Sequence, residues 1–206
     1  MMLAKRNVFI SRLFAIVLKR ILAKRFNEII VEEIPIRKDH SILLLCNHFS
    51  WWDGFLAGHL IDSYFHKNFH IMMQEDHIEK RNWLRYLGGF SIKKSSRESL
   101  KSLQYAAELL NDTQNSVVLF PQGALNSMHC EQIDLAKGYE YLIKNIKGNC
   151  QIIFAANVVD YFESFKPSVK MSLLDCGTNH SIDFEKLPSL INAHYTAAKK
   201  KQIRLS

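Results

Sequence analysis

The chain has 206 residues, of which 48% are hydrophobic and 23% charged, with only 8 Gly and 4 Pro. This composition is that of one ordinary globular domain, and it excludes collagen-like, low-complexity and intrinsically disordered classes. The 27 Lys and Arg against 20 Asp and Glu give a net charge of +7, which favours anionic partners such as phospholipid surfaces, acidic carrier proteins, phosphorylated metabolites or nucleic acid. The four cysteines form no C-x-x-C pair and are too few for a disulfide scaffold, which indicates reduced thiols and an intracellular protein.

The first 30 residues are strongly basic and are predicted to form an amphipathic helix. They hold seven basic residues and a single acid, Glu28. Lys5, Arg12 and Lys19 recur every seven residues and share one side of a helix, while apolar side chains gather on the other: Phe14, Leu18, Ile21 and Leu22. This pattern is typical of a helix in the membrane interface, and it predicts peripheral attachment to anionic lipid on the cytoplasmic face of a membrane.

Two other interpretations of this segment stay open. An ordinary amphipathic helix packed on its own domain would also leave its basic residues in solvent. A secretory signal peptide is disfavoured because Arg12 interrupts the apolar core and no small-residue cleavage site follows. No apolar run approaches the roughly 20 residues of a membrane-spanning helix. We therefore divide the chain into a membrane-surface helix, residues 1–30, and a single α/β domain, residues 31–206.

The next recognisable unit is a strand, a loop and a helix. Ser41-Ile-Leu-Leu-Leu-Cys46 is a short continuous apolar run, typical of a strand covered on both faces. It leads directly into Asn47 and His48. Ser50 and Asp53 have the spacing of a capping box, which predicts a helix from about residue 50 to 60.

Strands and helices alternate along the rest of the chain. Further strands are predicted at 69–73, 90–94, 117–120, 151–158 and 169–174. Helices are predicted at 97–110, with Ser95-x-x-Glu98 as a capping box, and at 135–147 and 185–201. The alternation predicts an α/β fold with a mixed, largely parallel sheet flanked by helices. Ligands of such sheets bind beyond the carboxyl ends of the strands, so the loops at 47–53 and 121–128 are the candidate site.

The first of these loops contains an H-x4-D pair, His48 and Asp53. The two side chains meet only if His48 lies in the loop and Asp53 in the first helical turn, because residues five apart in a continuous helix are separated by about 140°. A carboxylate bonded to one imidazole nitrogen leaves the other free to take a proton, as a general base must. The alternative is that Asp53 only caps the helix and His48 is an ordinary loop residue.

The second loop reads Phe120-Pro121-Gln122-Gly123-Ala124-Leu125-Asn126-Ser127. Here the sequence resembles the glycerolipid acyltransferases typified by 1-acylglycerol-3-phosphate acyltransferase, whose members carry N-H-x4-D followed some seventy residues later by F-P-E-G-T-R-S. His48 and Phe120 are 72 positions apart. Gly88-Gly-Phe-Ser-Ile-Lys-Lys94, Lys137-Gly138 and Phe154-Ala-Ala-Asn157 followed by Pro167 resemble further motifs of that family in the same order.

The resemblance implies transfer of an acyl group from a thioester, on coenzyme A or acyl carrier protein, to a hydroxyl or similar nucleophile of a lipid, with no bound cofactor. It implies that His48 is the general base, that Asp53 stabilises the imidazolium and that amides around Gly123 stabilise the oxyanion. It also points to a set of substrate-binding residues: Asn47, Lys94, Arg97, Phe120, Pro121, Gln122, Gly123 and Lys137.

The second motif departs from the family pattern at three positions. Gln122 replaces a Glu, Ala124 a Thr and Leu125 an Arg, and Lys94 replaces the Arg of the preceding motif. Because lysine does not reproduce the arginine fork around a phosphate, the acceptor stays open. Lys93, Lys94 and Arg97 are either a phosphate site or a solvated strand end. The departures also leave a second class of function: a lipid-binding or scaffold protein with altered chemistry.

Two further classes of site receive little support from the sequence. His66 and His70 are four residues apart, but no Cys or acid cluster completes a ligand set, and we expect no metal. Nucleic acid is not expected as a partner, because no recognised binding motif accompanies the positive charge.

Overall fold

A computed structural model describes residues 1–93 and 96–202, with seven strands in one sheet. The sheet order is β1-β7-β6-β2-β5-β3-β4, and each neighbouring pair is parallel except β6 with β7. This confirms the predicted mixed, largely parallel sheet. The strands are β1 (Ile29–Glu32), β2 (Ser41–Cys46), β3 (Asn68–Gln74), β4 (Gly89–Ile92), β5 (Asn115–Leu119), β6 (Cys150–Asp160) and β7 (Ser168–Thr178).

Helices cover both faces of the sheet. Every residue of β2 is buried; Leu43 and Leu45 join one core cluster and Ile42 and Leu44 the other, as expected of a central strand. The first cluster includes α4, α5 and α6, and the second includes α1 and α2. The helices are α1 (Val8–Arg25), α2 (Asp53–Leu60), α3 (Glu75–Lys80), α4 (Ser96–Leu109), α5 (Gly138–Lys144) and α6 (Leu187–Lys200).

The helix α1 packs on the sheet with the side that the sequence assigned to lipid. Leu18 and Leu22 are buried in the core beside β2 and α2, so their predicted lipid contact is wrong. The outward face instead carries Phe9 (82% exposed) and Leu13 (66% exposed) among its apolar residues. Because α1 has apolar residues on more than one side, either side could face the protein core or a membrane, and only the packing shows which side is buried. None of the described helices is long and apolar enough to cross a bilayer.

Several elements differ from the sequence expectations. The strand β1 begins at residue 29, inside the segment assigned to the N-terminal helix, and α3 was not predicted. One π-helical turn (Ile61–Phe65) and one 3₁₀ segment (Asn82–Leu87) were also missed. These pieces are only four to six residues long, too short to display a period. The predicted capping residue Ser95 lies outside the described residues.

Candidate active site

His48 lies in the loop that leaves the carboxyl end of β2, and Asp53 is the first residue of α2. The imidazole Nδ1 and the carboxylate Oδ2 are 2.8 Å apart. Because a carboxylate only accepts, the network assigns the proton to Nδ1 and leaves Nε2 as a free acceptor. The His48 side chain is partly exposed, whereas Asp53 is buried. This is the geometry that the H-x4-D spacing predicts.

The Asp53 carboxylate is held by the loop that it organises. Its Oδ2 also accepts the backbone N–H groups of Phe49 at 2.7 Å and Ser50 at 2.8 Å. The predicted capping box therefore forms only in its acidic half, because the Ser50 hydroxyl accepts from the Trp52 amide and not from Asp53. Three charge-assisted bonds on one oxygen fix its position. The other oxygen, Oδ1, is buried and has no hydrogen-bond partner among the described residues.

The second predicted loop meets His48 directly. The Gln122 Oε1 accepts the His48 backbone N–H at 2.6 Å, and the His48 carbonyl accepts the Asn126 N–H at 2.9 Å. The Phe120 ring stacks on the imidazole, with centroids 4.1 Å apart and planes 16° apart. The second loop, which begins 72 positions after His48, thus bonds the His48 backbone and covers one face of its ring.

Gly123 adopts a left-handed backbone with φ +67°, and a Cβ there would meet nothing within 4 Å. Glycine is therefore required by conformation and leaves open space next to the loop. Its N–H donates to the Phe120 carbonyl at 3.1 Å. The Gly123 amide is therefore not available to an oxyanion, although the resemblance implied that amides around this residue stabilise one. The amides of Gln122 and Ala124 donate to no acceptor in the described part of the chain.

Asn47 and Pro121 support the site from behind. The Asn47 side chain is buried and bonds the Asn157 backbone twice, through Nδ2 to its carbonyl (2.9 Å) and Oδ1 to its N–H (2.7 Å). This reciprocal pair ties the His48 loop to β6. The Pro121 carbonyl accepts the Ala136 N–H at 2.8 Å and anchors the second loop. Both the nitrogen and the oxygen of the Asn47 amide therefore bond the scaffold.

A cavity of about 610 Å³ extends from His48 between the sheet and the N-terminal helix. Its wall is predominantly apolar and comes from α1, α2, β3, the 3₁₀ segment, α4 and the second loop. The lining includes Phe14, Leu18, Phe55, Phe69, Ile71, Met73, Leu84, Leu87 and Phe120. The site is thus an imidazole beside a long apolar pocket, which suits an alkyl chain with a reactive group at one end.

The predicted cationic substrate residues are less closely connected to this cavity. Lys94 lies outside the described residues. Lys93 lines the cavity but pairs with Glu75 at 3.1 Å and Glu98 at 3.5 Å. Arg97 and Lys137 are exposed and do not line the cavity. Lys93, Arg97 and Lys137, the described members of this set, therefore form no built phosphate site.

The sequence reasoning missed two arginines that do line the cavity, Arg6 and Arg12. Burial and the positive charge of Arg12 lower the pKa of the Arg6 guanidinium. Its Nε is buried and unpartnered within the described ranges. No spacing rule connects residue 6 with residue 48, so the sequence contains no signal for this proximity.

Cys46, directly before Asn47, has the wrong environment for a nucleophile. Burial and then the Asp53 charge raise the pKa of its thiol, which keeps it protonated. Within residues 1–93 and 96–202, no three His, Cys, Asp or Glu side chains come together as a metal site. His48 is the cavity-lining histidine that contacts a buried carboxylate, that of Asp53.

Comparisons with known proteins identify the family of the chain and support its fold. A family model described as Acyltransferase matches residues 28–161. The crystal structure of the 1-acyl-sn-glycerophosphate (LPA) acyltransferase PlsC from Thermotoga maritima is similar, with TM-score 0.68 and 15% identity over 96% of this chain and 82% of that chain. A comparison with curated proteins finds no match. The predicted fold and the resemblance drawn from the two motifs are confirmed, and the chain belongs to the acyltransferase family.

Proposed function

We propose that the protein transfers a fatty acyl group from an acyl thioester to a hydroxyl group of a lipid at a membrane surface. The observation that carries this proposal is the 2.8 Å contact between His48 and the buried Asp53 beside an apolar cavity. The donor is an acyl-coenzyme A or an acyl carrier protein, both of which present the same thioester.

The proposed chemistry needs one proton acceptor and no covalent enzyme intermediate. The Nε2 of His48 takes the proton of the acceptor hydroxyl while the hydroxyl oxygen attacks the thioester carbonyl. The carbon–sulfur bond of the tetrahedral intermediate then breaks, and the imidazolium returns the proton to the departing thiolate. The products are an ester and a free thiol. The buried Asp53 carboxylate stabilises the imidazolium that forms between these steps.

The developing oxyanion needs a donor on the side of the second loop. The amides of Gln122 and Ala124 are unbonded within the described residues, and the open space at Gly123 lets a carbonyl approach them. We assign the oxyanion to these amides, since preorganised backbone donors commonly supply such stabilisation. The acyl chain lies in the apolar cavity, where burial of its methylenes contributes about 0.8 kcal/mol each.

Peripheral attachment to anionic lipid is supported by the outward side of α1. Phe9 and Leu13 are exposed there, with Arg12 and Arg20 also exposed on the same helix. Trp83 is exposed and contacts Phe14 of α1, with ring centroids 5.9 Å apart. Apolar side chains flanked by Arg and an interfacial Trp are the composition of a membrane-surface contact. The cavity runs directly beneath this helix, which gives a lipid substrate a short path.

Replacing the proposed base tests the reaction. His48→Ala should lower transfer on the order of 100-fold or more, measured by mass spectrometry with acyl-coenzyme A and acyl carrier protein donors and a lysolipid and monoacylglycerol acceptor panel. The matched control is His180→Ala, which removes an exposed histidine and should leave the rate unchanged. A folded His48→Ala protein with the wild-type rate would exclude the proposed base. Lipid binding by the wild type without any product would favour the scaffold alternative.

Membrane attachment is tested without deleting α1, because its inner face belongs to the core. Leu13→Ser removes an outward apolar side chain and should weaken sedimentation with anionic vesicles several-fold. Leu190→Ser removes a similarly exposed leucine from α6, on the opposite face of the sheet, and should have no effect. Equal vesicle binding by both variants would contradict attachment through α1.

A further inference from the structure

The loop between β6 and β7 presents aromatic side chains to solvent. Phe165 is fully exposed and Tyr161 is 58% exposed, and Phe162 is also exposed. Isolated exposed apolar residues are common, but three exposed aromatic residues within five positions form a patch of the kind that marks an interaction site. The loop is also ordered by its own bonds, since the Ser164 N–H donates to the Tyr161 carbonyl at 2.9 Å.

This loop projects from the edge of the sheet that carries His48. The pairing of β2 with β6 ends at Cys46 and Ala155, whereas β6 and β7 stay paired to Asp160 and Ser168. The hairpin therefore continues five residues past the end of β2, roughly 16 Å at 3.3 Å per residue. Its tip lies beyond the carboxyl ends of the parallel strands.

The base of the hairpin is bonded to the chain that leaves α1. The Asn27 backbone N–H donates to the Pro167 carbonyl at 2.8 Å, and its Nδ2 donates to the Ser168 hydroxyl at 3.3 Å. The Val169 N–H donates to the Glu28 carbonyl at 2.9 Å, where β1 begins to pair with β7. These bonds fix the aromatic tip close to the carboxyl end of α1.

We propose that residues 161–166, the aromatic hairpin, insert into the interfacial layer of a lipid bilayer as a second contact beside α1. This inference rests on the proposed membrane attachment of α1 and extends it to an element from another part of the sequence. Aromatic rings prefer the headgroup level of a bilayer, between water and hydrocarbon.

The exposed aromatic tip and its bonds to the segment that leaves α1 favour lipid over a protein partner as the occupant. The last turn of α1 carries Lys24 and Arg25, and Lys166 adjoins Phe165. Three acids, Glu28, Asp160 and Glu163, are also present, so the charges around the hairpin balance overall, and Lys166 is the charge directly beside Phe165. Basic residues next to an apolar tip suit an anionic headgroup layer. Two separate contacts, the outward face of α1 and the aromatic hairpin, would hold the site edge at a defined angle to the lipid that it acts on.

The first test measures vesicle binding by the full chain. Phe165→Ser should weaken co-sedimentation with vesicles of phosphatidylcholine and phosphatidylglycerol about 5- to 10-fold. This is the effect expected from removing one aromatic side chain that is partly buried in the bilayer interface. The matched control Tyr141→Ser removes an exposed aromatic residue from α5, on the face opposite α1, and should bind as the wild type does. Unchanged binding by Phe165→Ser would overturn the proposal.

The second test reports depth and does not depend on a loss of binding. Phe165→Trp keeps an aromatic side chain, and its added fluorescence should be quenched by brominated phosphatidylcholine in the same vesicles. Tyr141→Trp should show only the quenching of the native tryptophans. Equal quenching of the two variants would exclude insertion of the hairpin.

Failure of the hairpin proposal is distinguishable from failure of the proposed function. Phe165→Ser should retain the wild-type rate on an acceptor dispersed in detergent micelles and lose rate only on vesicles. If Leu13→Ser weakens vesicle binding and Phe165→Ser does not, α1 alone attaches the protein and the hairpin inference is wrong. If wild-type protein transfers no acyl group to any acceptor, the proposed reaction fails while the binding and quenching results still decide the hairpin.

Discussion

The strongest single perturbation of the proposed chemistry is Asp53→Asn, which removes a charge and keeps the side-chain shape. An Asn oxygen can still accept the amides of Phe49 and Ser50, which now bond Asp53 Oδ2 at 2.7 and 2.8 Å. The change therefore acts mainly on the interaction with the imidazolium of His48. The fold should survive, because the loop keeps most of its hydrogen bonds.

The size of the effect follows from the charge that is lost. Unit charges about 4 Å apart attract by about 4 kcal/mol at an effective dielectric constant of 20. Only part of the imidazolium charge exists in the transition state, so a loss of about 2–3 kcal/mol is expected, or roughly 30- to 150-fold in kcat. The assay is initial-rate acyl transfer at saturating donor, with folding checked by thermal melting.

A matched substitution separates charge at the site from charge elsewhere. Asp175→Asn removes a carboxylate from β7 that pairs with Arg37 at 3.2 Å. It should change kcat less than twofold, because its charge serves a surface pair. If Asp53→Asn is folded and also stays within twofold of the wild type, Asp53 does not stabilise the imidazolium and the proposed dyad is refuted.

Three further predictions concern the supports of the site and the fold. Gln122→Leu removes the acceptor of the His48 amide and should lower both kcat and the melting temperature, whereas Gln122→Glu keeps an acceptor oxygen and should lose less of both; equal losses would contradict this role. Leu22→Ala should lower the free energy of unfolding by roughly 2–5 kcal/mol in denaturant titrations, whereas Ile16→Ala on the exposed side should change it little, since only Leu22 is buried. Burial lowers the pKa of His70 from 6.5 to about 4. The unfolded chain therefore binds its proton first, and the free energy of unfolding should fall by up to roughly 3 kcal/mol as the pH drops from 6.5 to 4, a dependence that His70→Leu should remove.

Much of the reactive geometry was predictable because it is local. The buried run of β2, the loop and the first residue of α2 lie within thirteen residues, and bonds from the Phe49 and Ser50 amides hold Asp53 against His48. When a loop residue and a residue in the first turn of the next helix are only five positions apart, few backbone conformations bring their side chains into contact. The second motif could be identified because Phe120 and Gly123 also lie where a parallel strand ends.

Only the tertiary structure decided how the separate motifs and faces are used. Gln122 accepts from the His48 backbone, a pairing that depends on β2 and β5 being neighbours in register. Leu18 faces the core and Leu13 faces out, although both are leucines on one helix. Local sequence sets which side chains share a helix face and which loop follows a strand. Which apolar face is buried, and which distant residues meet at a cavity, depends on the packing of the whole chain, because burial free energy follows area and not sequence position.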